Sequence, residues 1–143
     1  MKKVLTEREY IKDVIGRSIT TMVIFCGIDI DLNRQISLNI PLARKFSEIK
    51  ERRRSAKIDH CINEILAENP DKDVLVDIDI LMNPSYKVDI IRSLVNINKN
   101  RKISVIWPGE IKDNQLIYSK EGYDDYKVFS INDYDIVCVM KGV

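Results

Sequence analysis

The sequence predicts one α/β domain over residues 1–143, with three layers, a mainly parallel sheet and a C-terminal end rich in β-hairpins. Three apolar runs, 20–26, 73–82 and 102–107, are typical of strands that are buried on both faces, as in parallel sheets. Amphipathic helical stretches separate these runs, and strands that alternate with helices imply right-handed crossovers. From Leu116 onward, short strand-like segments surround an acidic loop, which indicates the hairpin end.

Length and composition are those of an ordinary globular domain, with 143 residues, of which 45% are hydrophobic and 31% charged. Lys and Arg number 23 and Asp and Glu 22, a balance that argues against a nucleic-acid coat protein or a membrane-surface protein. No apolar run reaches the roughly 20 residues of a membrane span, and the first residues become charged too early for a secretion signal. We therefore predict a cytoplasmic protein without a membrane partner. Cys26, Cys61 and Cys138 lie among apolar residues, which predicts buried thiols and no metal cluster.

The first elements are marked by residues that begin and end helices and strands. Thr6 and Glu9 have the spacing of a capping box, which predicts a helix that starts there and ends near Gly16. The run from Thr20 to Cys26 predicts a central strand. Residues 28–35 lack a helical stripe, so we expect a loop there.

The remaining elements follow from helical spacing, strand-like runs and breaks at Pro or Gly. They are a short strand over 36–40, a helix that starts at Asn39-Pro41, a second helix from about Ser55, a strand over 73–82, a helix around 88–95, a strand over 102–107, a hairpin of 116–118 with 126–129, and a final strand over 135–140. Trp107 ends a strand and is expected to lie half in the core and half at its rim.

The run Val74-Leu75-Val76-Asp77-Ile78-Asp79 holds the candidate catalytic residues. An acid at the carboxyl end of a buried parallel strand can hold Mg²⁺ through water, and a second acid nearby can orient an attacking water. Asp77 is therefore the candidate metal residue and Asp79 its partner, since alternation along a strand would place both on one face. The alternative is a rim of carboxylates that accept hydrogen bonds from a neighbouring loop.

The phosphate loop that normally accompanies such an acid is missing from the sequence. Its pattern, Gly-x-x-x-x-Gly-Lys-Ser/Thr after the first strand, supplies backbone N–H groups and a lysine to phosphates. Here the strand ends at Gly27, but Leu32, Asn33 and Arg34 occupy the positions of the second glycine, the lysine and the hydroxyl residue. Two aspartates in the same segment would also repel phosphates. Gly27, Asn33 and Arg34 are the candidate nucleotide-binding residues, with Arg34 as a displaced substitute for the lysine.

A basic stretch from Arg44 to Lys57 has seven basic and two acidic residues. Four of its members form a candidate surface for nucleic-acid phosphates or an acidic protein, namely Lys50, Arg52, Arg53 and Arg54. The alternative is a solvated helix face with ion pairs at i,i+4 spacing, such as Glu48 with Arg52. Residues 112–135 have three basic and six acidic residues, so opposite charges could also drive head-to-tail self-association.

Several segments together carry a likeness to one known family. They are Val74-Leu75-Val76-Asp77, Leu81-Met82-Asn83-Pro84-Ser85-Tyr86-Lys87-Val88-Asp89, Asn98-Lys99-Asn100-Arg101, Val105-Ile106-Trp107-Pro108-Gly109-Glu110, Leu116-Ile117-Tyr118 and Gly122-Tyr123-Asp124-Asp125-Tyr126. Their combination resembles the small P-loop-containing BrxF proteins of type 3 BREX systems, which defend bacteria against phages. The resemblance covers about residues 20–140 and is strongest over 74–126.

The resemblance implies a P-loop-NTPase-like architecture, a role in phage defence, and Asp77 as the Walker-B-like acid. Members of that family usually carry an intact phosphate loop and a helix after the first strand, and this chain lacks the sequence for both. It therefore looks like a shortened or degenerate member, to which ATP binding does not carry over.

The expected function is that of an accessory component of a BREX-type anti-phage system, which acts mainly through contacts with other defence proteins and has weak or no NTPase activity. One alternative is an NTPase that binds Mg-ATP through a divergent loop, and another is a nucleic-acid-binding module that uses the Arg44–Lys57 surface. A homo-oligomer and DNA are the other partners that the sequence leaves open.

Overall fold

The computed structural model describes residues 2–13 and 21–142, which form an α/β fold with two β-sheets. The strands and helices are, in chain order, β1 (Val4–Thr6), α1 (Glu7–Asp13), β2 (Met22–Cys26), β3 (Gln35–Ser37), α2 (Asn39–Ser47), α3 (Glu51–Ala67), β4 (Val74–Val76), α4 (Ile90–Asn100), β5 (Ser104–Ile106), β6 (Glu110–Lys112), β7 (Gln115–Tyr118), β8 (Lys127–Ser130) and β9 (Ile136–Met140). The predicted class, α/β with a mainly parallel sheet and hairpins near the C-terminus, is confirmed.

The larger sheet has six strands in the order β1-β9-β2-β5-β4-β3, and every neighbouring pair is parallel. Strand β2 is central, as predicted, because Val23 pairs with Ser104 on one side and with Val137 on the other. The chain runs from β2 out to the edge strand β3, returns through β4 and β5, and continues past β2 to β9. All six strands therefore end at the same edge of the sheet.

Helices α2, α3 and α4 cover one face of this sheet and form the larger hydrophobic core. Alternate strand residues such as Ile24, Leu75 and Val105 point into that core. Helix α3 contributes apolar residues at the predicted helical spacing, each at most 1% exposed: Ile58, Cys61, Ile62, Ile65 and Leu66. The periodic stripe fixes which side of the helix packs, because residues three and four positions apart lie on one face.

The opposite face has a much smaller core, under β1, β9 and β2. Four strand residues form it, namely Leu5, Val23, Val137 and Val139. Helix α1 packs on them through Tyr10, whose ring meets Phe25 edge-on at 6.0 Å. The predicted capping box starts this helix: the Thr6 N–H donates to Glu9 Oε1 at 3.1 Å, and the Glu9 N–H donates to Thr6 Oγ1 at 3.3 Å. Its expected end at Gly16 lies outside the described residues.

The smaller sheet is antiparallel, with the order β6-β7-β8, and follows directly after β5. It contains the predicted hairpin, β7 with β8, and a further strand, β6, that the sequence did not suggest. Trp107 is only 3% exposed, so its expected position at the core rim is wrong. The small sheet covers the indole, whose Nε1–H donates to the Ile117 carbonyl at 3.0 Å and whose ring meets Phe129 edge-on at 5.9 Å.

Some predicted boundaries differ from the structure for identifiable reasons. The strand predicted over 73–82 ends at Val76, and a 3₁₀ turn follows over Asp79–Met82. Its apolar side chains, including Leu81 and Met82, are buried beyond the end of the strand, which explains why the run resembles one continuous strand. Helix α3 starts at Glu51 rather than near Ser55, because a first helical turn can be entirely polar when it projects past the core. Strand β1 was not predicted.

Two of the three cysteines fit the expectation of buried thiols. Cys61 is 1% exposed and Cys138 fully buried, whereas Cys26 is only half-buried, and its Sγ lies 3.5 Å from the Gly109 carbonyl. All three are free thiols. Burial raises the pKa of the Cys138 thiol to about 12, which keeps it protonated and unreactive.

Candidate functional site

A cleft of about 380 Å³ opens at the edge of the sheet where β2, β4 and β5 end. Three aspartates line it, Asp29, Asp77 and Asp79, together with the apolar side chains of Ile28, Ile30, Leu32, Val76, Ile106 and Pro108. Strands β2 and β5 are neighbours, but the chain continues from β2 toward β3 in one direction and from β5 toward β9 in the other. Such a switch point at the carboxyl ends of parallel strands is where open α/β sheets bind ligands.

Asp77 is the first residue after β4 and has a left-handed backbone, with φ of 49°. Aspartate and asparagine adopt this conformation more readily than other residues with a side chain. The turn brings its carboxylate beside β3, where the Ser37 hydroxyl donates to Asp77 Oδ2 at 2.6 Å. Because β4 ends at Val76, the alternation of side chains along a strand does not determine where Asp77 and Asp79 lie. The turn after β4 brings both side chains to the cleft instead.

Asp79 is held by residues from two other parts of the chain. The Tyr118 hydroxyl of β7 donates to its Oδ1 at 2.8 Å, and the Asn39 amide of α2 donates to its Oδ2 at 3.4 Å. The Asn39 side chain also accepts the Ile80 N–H at 2.8 Å. Desolvation of the Tyr118 phenol, together with its bond to Asp79, raises the Tyr118 pKa to about 12. Asp79 therefore connects the turn after β4 to the smaller sheet and to α2.

Any metal-binding capacity of the cleft rests on its aspartates, among which Asp77 and Asp79 are the predicted pair. Over 2–13 and 21–142, no group of three or more His, Cys, Asp or Glu side chains is arranged to hold a metal ion. Mg²⁺ in phosphoryl-transfer sites is commonly held by one or two carboxylates, its own waters and the phosphates of the substrate. These two aspartates fit the protein half of such a site, and the other half depends on whether phosphates can bind beside them.

The structure does not bring the candidate nucleotide-binding residues together. Gly27 lies at the carboxyl edge with φ of 71°, next to the cleft. Arg34 precedes β3, and its guanidinium donates twice to the Asp73 carboxylate, at 3.0 and 2.9 Å, just before β4 begins. Since Asp73 and Asp77 are four residues apart along an extended strand, Arg34 is engaged roughly 13 Å from the Asp77 edge.

The segment between β2 and β3 also lacks the shape of a phosphate loop. A 3₁₀ turn over Leu32–Arg34 is its only helical piece, and the Asp31 carboxylate caps that turn by accepting the Asn33 N–H at 3.0 Å. Asn33 itself is exposed. Backbone N–H groups at the start of a full helix are what normally surround a phosphate. Here a carboxylate occupies the equivalent position.

The candidate basic surface lies at the start of α3, on the helix-covered side of the sheet. Lys50, Arg52 and Arg53 are exposed, and their side chains make no hydrogen bond or ion pair with the part of the chain that the structure describes. The expected ion pair of Glu48 with Arg52 is therefore not formed. Arg54 differs from the others, because its Nε donates to the Ile49 carbonyl at 3.0 Å.

Sequence reasoning missed three side chains that organise the cleft: Ser37, Asn39 and Tyr118. Asn39 attracted attention only as a helix start, yet its amide connects α2 to the turn after β4. Tyr118 belongs to the predicted hairpin and to one of the segments that carry the family resemblance, neither of which indicates a bond to Asp79. No local pattern predicts either role, because each depends on strands that meet only in the folded chain.

The chain matches no protein-family model, and no curated protein or solved structure is significantly similar to it. Among the helices of the described ranges, none combines the length and the apolar character that crossing a membrane requires.

Proposed function

We propose that this chain is an accessory component of a BREX-type phage-defence system and that it acts through contacts with other proteins of that system, with an NTPase-like fold that does not hydrolyse nucleotide. The family resemblance over 74–126 supports the defence role. The parallel sheet, with Asp77 at the end of a strand beside the switch point, is compatible with descent from a nucleotide-binding fold.

The observation that carries the proposal is the geometry of residues 27–34. A phosphate beside Asp77 would need donors from this segment, and the segment offers Asp29 at the cleft instead. Its single cation, Arg34, is already paired with Asp73 at the far end of the strands. Phosphate oxygens are repelled by neighbouring carboxylates that have no cationic partner, and residues 27–34 offer no backbone cradle that offsets this repulsion.

The test is isothermal titration of the purified chain with ATP and ADP, each with and without Mg²⁺. We expect no binding heat at high protein concentration and no rise in melting temperature at millimolar Mg-ATP. The second measurement is sensitive, because a ligand present at 100 times its Kd would stabilise the fold by about 2.7 kcal/mol. Micromolar binding that is lost in Asp77→Ala would refute the proposal and establish the Mg-ATP alternative. Asp59→Ala, which removes an exposed carboxylate from α3 on the opposite face of the sheet, is the matched control.

The protein-contact half of the proposal is tested separately. The tagged chain is co-purified with each protein encoded beside it, one pair at a time. We expect one of them to form a stable complex at stoichiometric ratio, and failure of every pair would refute the role in a defence assembly.

The unpaired basic residues at the start of α3 favour nucleic-acid binding as a second candidate function. If Lys50, Arg52 and Arg53 contact phosphates, the affinity for duplex DNA should fall steeply with salt, with a log–log slope of about −0.9 for each phosphate contacted. Reversal of the three charges should abolish binding. Reversal of Lys99, Lys112 and Lys120, which are exposed elsewhere, is the control, and equal loss in both triple variants would argue against a specific surface.

A further inference from the structure

The connection between β2 and β3 is too short to cover the sheet that it crosses. It has eight residues, 27–34, yet β5 and β4 lie between the two strands that it joins. At about 4.8 Å per strand spacing, the segment must span roughly 14 Å sideways while it returns to the start of the next strand. Parallel crossovers normally use a dozen or more residues, most of them in a helix. This crossover has no room for one.

The missing helix leaves apolar side chains of the sheet incompletely covered. By strand register, Val76 and Ile106 point to the face opposite α2, α3 and α4. Both are partly exposed and belong to neither hydrophobic core. Above them the crossover places Ile30, also partly exposed, and Leu32, whose side chain is 78% exposed. We call Ile30, Leu32, Val76 and Ile106 the crossover face.

The charges around the crossover face have one sign at the carboxyl edge of the sheet. Asp29, Asp77 and Asp79 line the cleft there, and Asp31 is exposed on the crossover itself. The basic side chains close to β3 are engaged at the other edge, where Arg34 pairs with Asp73 and the Lys72 ammonium donates to the Gln35 carbonyl at 3.4 Å. An apolar floor with an acidic end is complementary to a ligand that is apolar along one side and cationic at one end.

We propose that the crossover face receives an amphipathic α-helix of a partner protein, with apolar residues on Val76, Ile106 and Leu32 and a Lys or Arg against Asp29 and Asp77. The inference rests on the proposed function, since it names the chemistry of the partner that the function requires. A helix is about 10 Å across, and the floor that β5 and β4 provide is two strand spacings, or about 10 Å, wide. Apolar i, i+3 and i+4 anchors with basic flanks are how such helices are recognised in grooves.

The experiment uses overlapping synthetic peptides that cover the proteins encoded beside this chain, with binding measured by fluorescence anisotropy. We expect the binding peptides to share an apolar helical stripe with adjacent Lys or Arg. Leu32→Asp and Asp77→Asn should each weaken them at least 10-fold, and raising the salt concentration should weaken them further. Tyr123→Asp, which introduces a charge at a side chain 63% exposed on the hairpin turn, should leave binding unchanged.

The outcomes separate failure of this inference from failure of the proposed function. If a full-length neighbour binds the chain but Leu32→Asp has no effect on the complex, the function stands and the docking site is refuted. If the bound peptides are acidic or lack an apolar stripe, the stated partner chemistry is wrong. If the isolated chain is a dimer by light scattering and Leu32→Asp makes it a monomer, a second copy covers the face, and the proposal is again refuted. If no neighbour and no peptide binds, the proposed function falls with it.

Discussion

Substitutions of Asp77 separate the contribution of its backbone conformation from that of its charge. In Asp77→Ala, the acceptor for the Ser37 hydroxyl is lost, at a cost of about 1 kcal/mol for an exposed hydrogen bond. Alanine also tolerates φ of 49° less well than aspartate, which adds about 1 kcal/mol. We therefore expect a loss of about 2 kcal/mol in the free energy of unfolding, or roughly 8 °C in melting temperature for a domain of this length.

The asparagine and glycine variants give the matched comparison. Asp77→Asn keeps an oxygen acceptor and a side chain that suits the left-handed region, so its stability should stay within about 0.5 kcal/mol of the wild type. Asp77→Gly relieves the backbone but lacks the acceptor, so it should lie between the other two. Asn can thus remove the charge while it keeps the fold, which is why it is the variant used to probe docking.

Urea unfolding followed through Trp107 measures these differences directly. Trp107 is the single tryptophan and is buried beneath the small sheet, so its emission reports loss of the fold. Asp124→Ala, at an exposed turn, controls for the loss of a negative charge alone. The reasoning is refuted if the alanine variant is as stable as the asparagine variant, because neither the hydrogen bond nor the conformation would then matter.

Three further predictions concern the small sheet and the thiols. Gly109→Ala would place a Cβ 2.0 Å from the Ile117 carbonyl oxygen, so we expect about 2–3 kcal/mol of destabilisation by urea unfolding, and altered Trp107 emission. Wild-type stability and emission would show that the backbone segments at Gly109 and Ile117 can move apart freely. The pKa of Tyr118 is about 12 in the folded protein and near 10 in the unfolded protein, so the free energy of unfolding should fall as pH rises from 10 to 12. This fall should be less steep in Tyr118→Phe. Parallel pH profiles of the wild type and the variant would contradict the assigned bond to Asp79. A thiol reagent should label only Cys26 in the native chain and all three cysteines in urea, and native labelling of Cys138 would mean that β9 opens readily.

The elements that depend on local patterns were predictable. The capping box of Thr6 and Glu9, the central strand β2, the apolar stripe of α3 and the β7–β8 hairpin follow from spacing within a few residues. Such patterns act over one turn of helix or one strand, where the next residues determine burial. The limit appears over 73–82, where one apolar run is divided between a strand and a 3₁₀ turn, because burial alone does not specify the backbone.

The absence of a phosphate loop could likewise be read from the sequence, since it depends on which residues follow Gly27. The position of Arg34 could not be predicted from the sequence. Its pairing with Asp73 joins residues 39 positions apart, and it depends on β3 and β4 being neighbours that start at the same edge. The sequence offers Arg34 only as a displaced substitute for the phosphate-loop lysine, whereas in the structure its guanidinium pairs with Asp73 at the opposite edge of the sheet from Asp77.

The cleft was determined by tertiary structure alone. Asp77 meets Ser37 across 40 residues, and Asp79 meets Tyr118 across 39. The crossover face arises in the same way, because the exposure of Val76 and Ile106 depends on which strands the eight-residue connection must pass. Local sequence specifies the turn or strand that a residue adopts, but the order of strands in the sheet decides which carboxylates and apolar side chains share a surface.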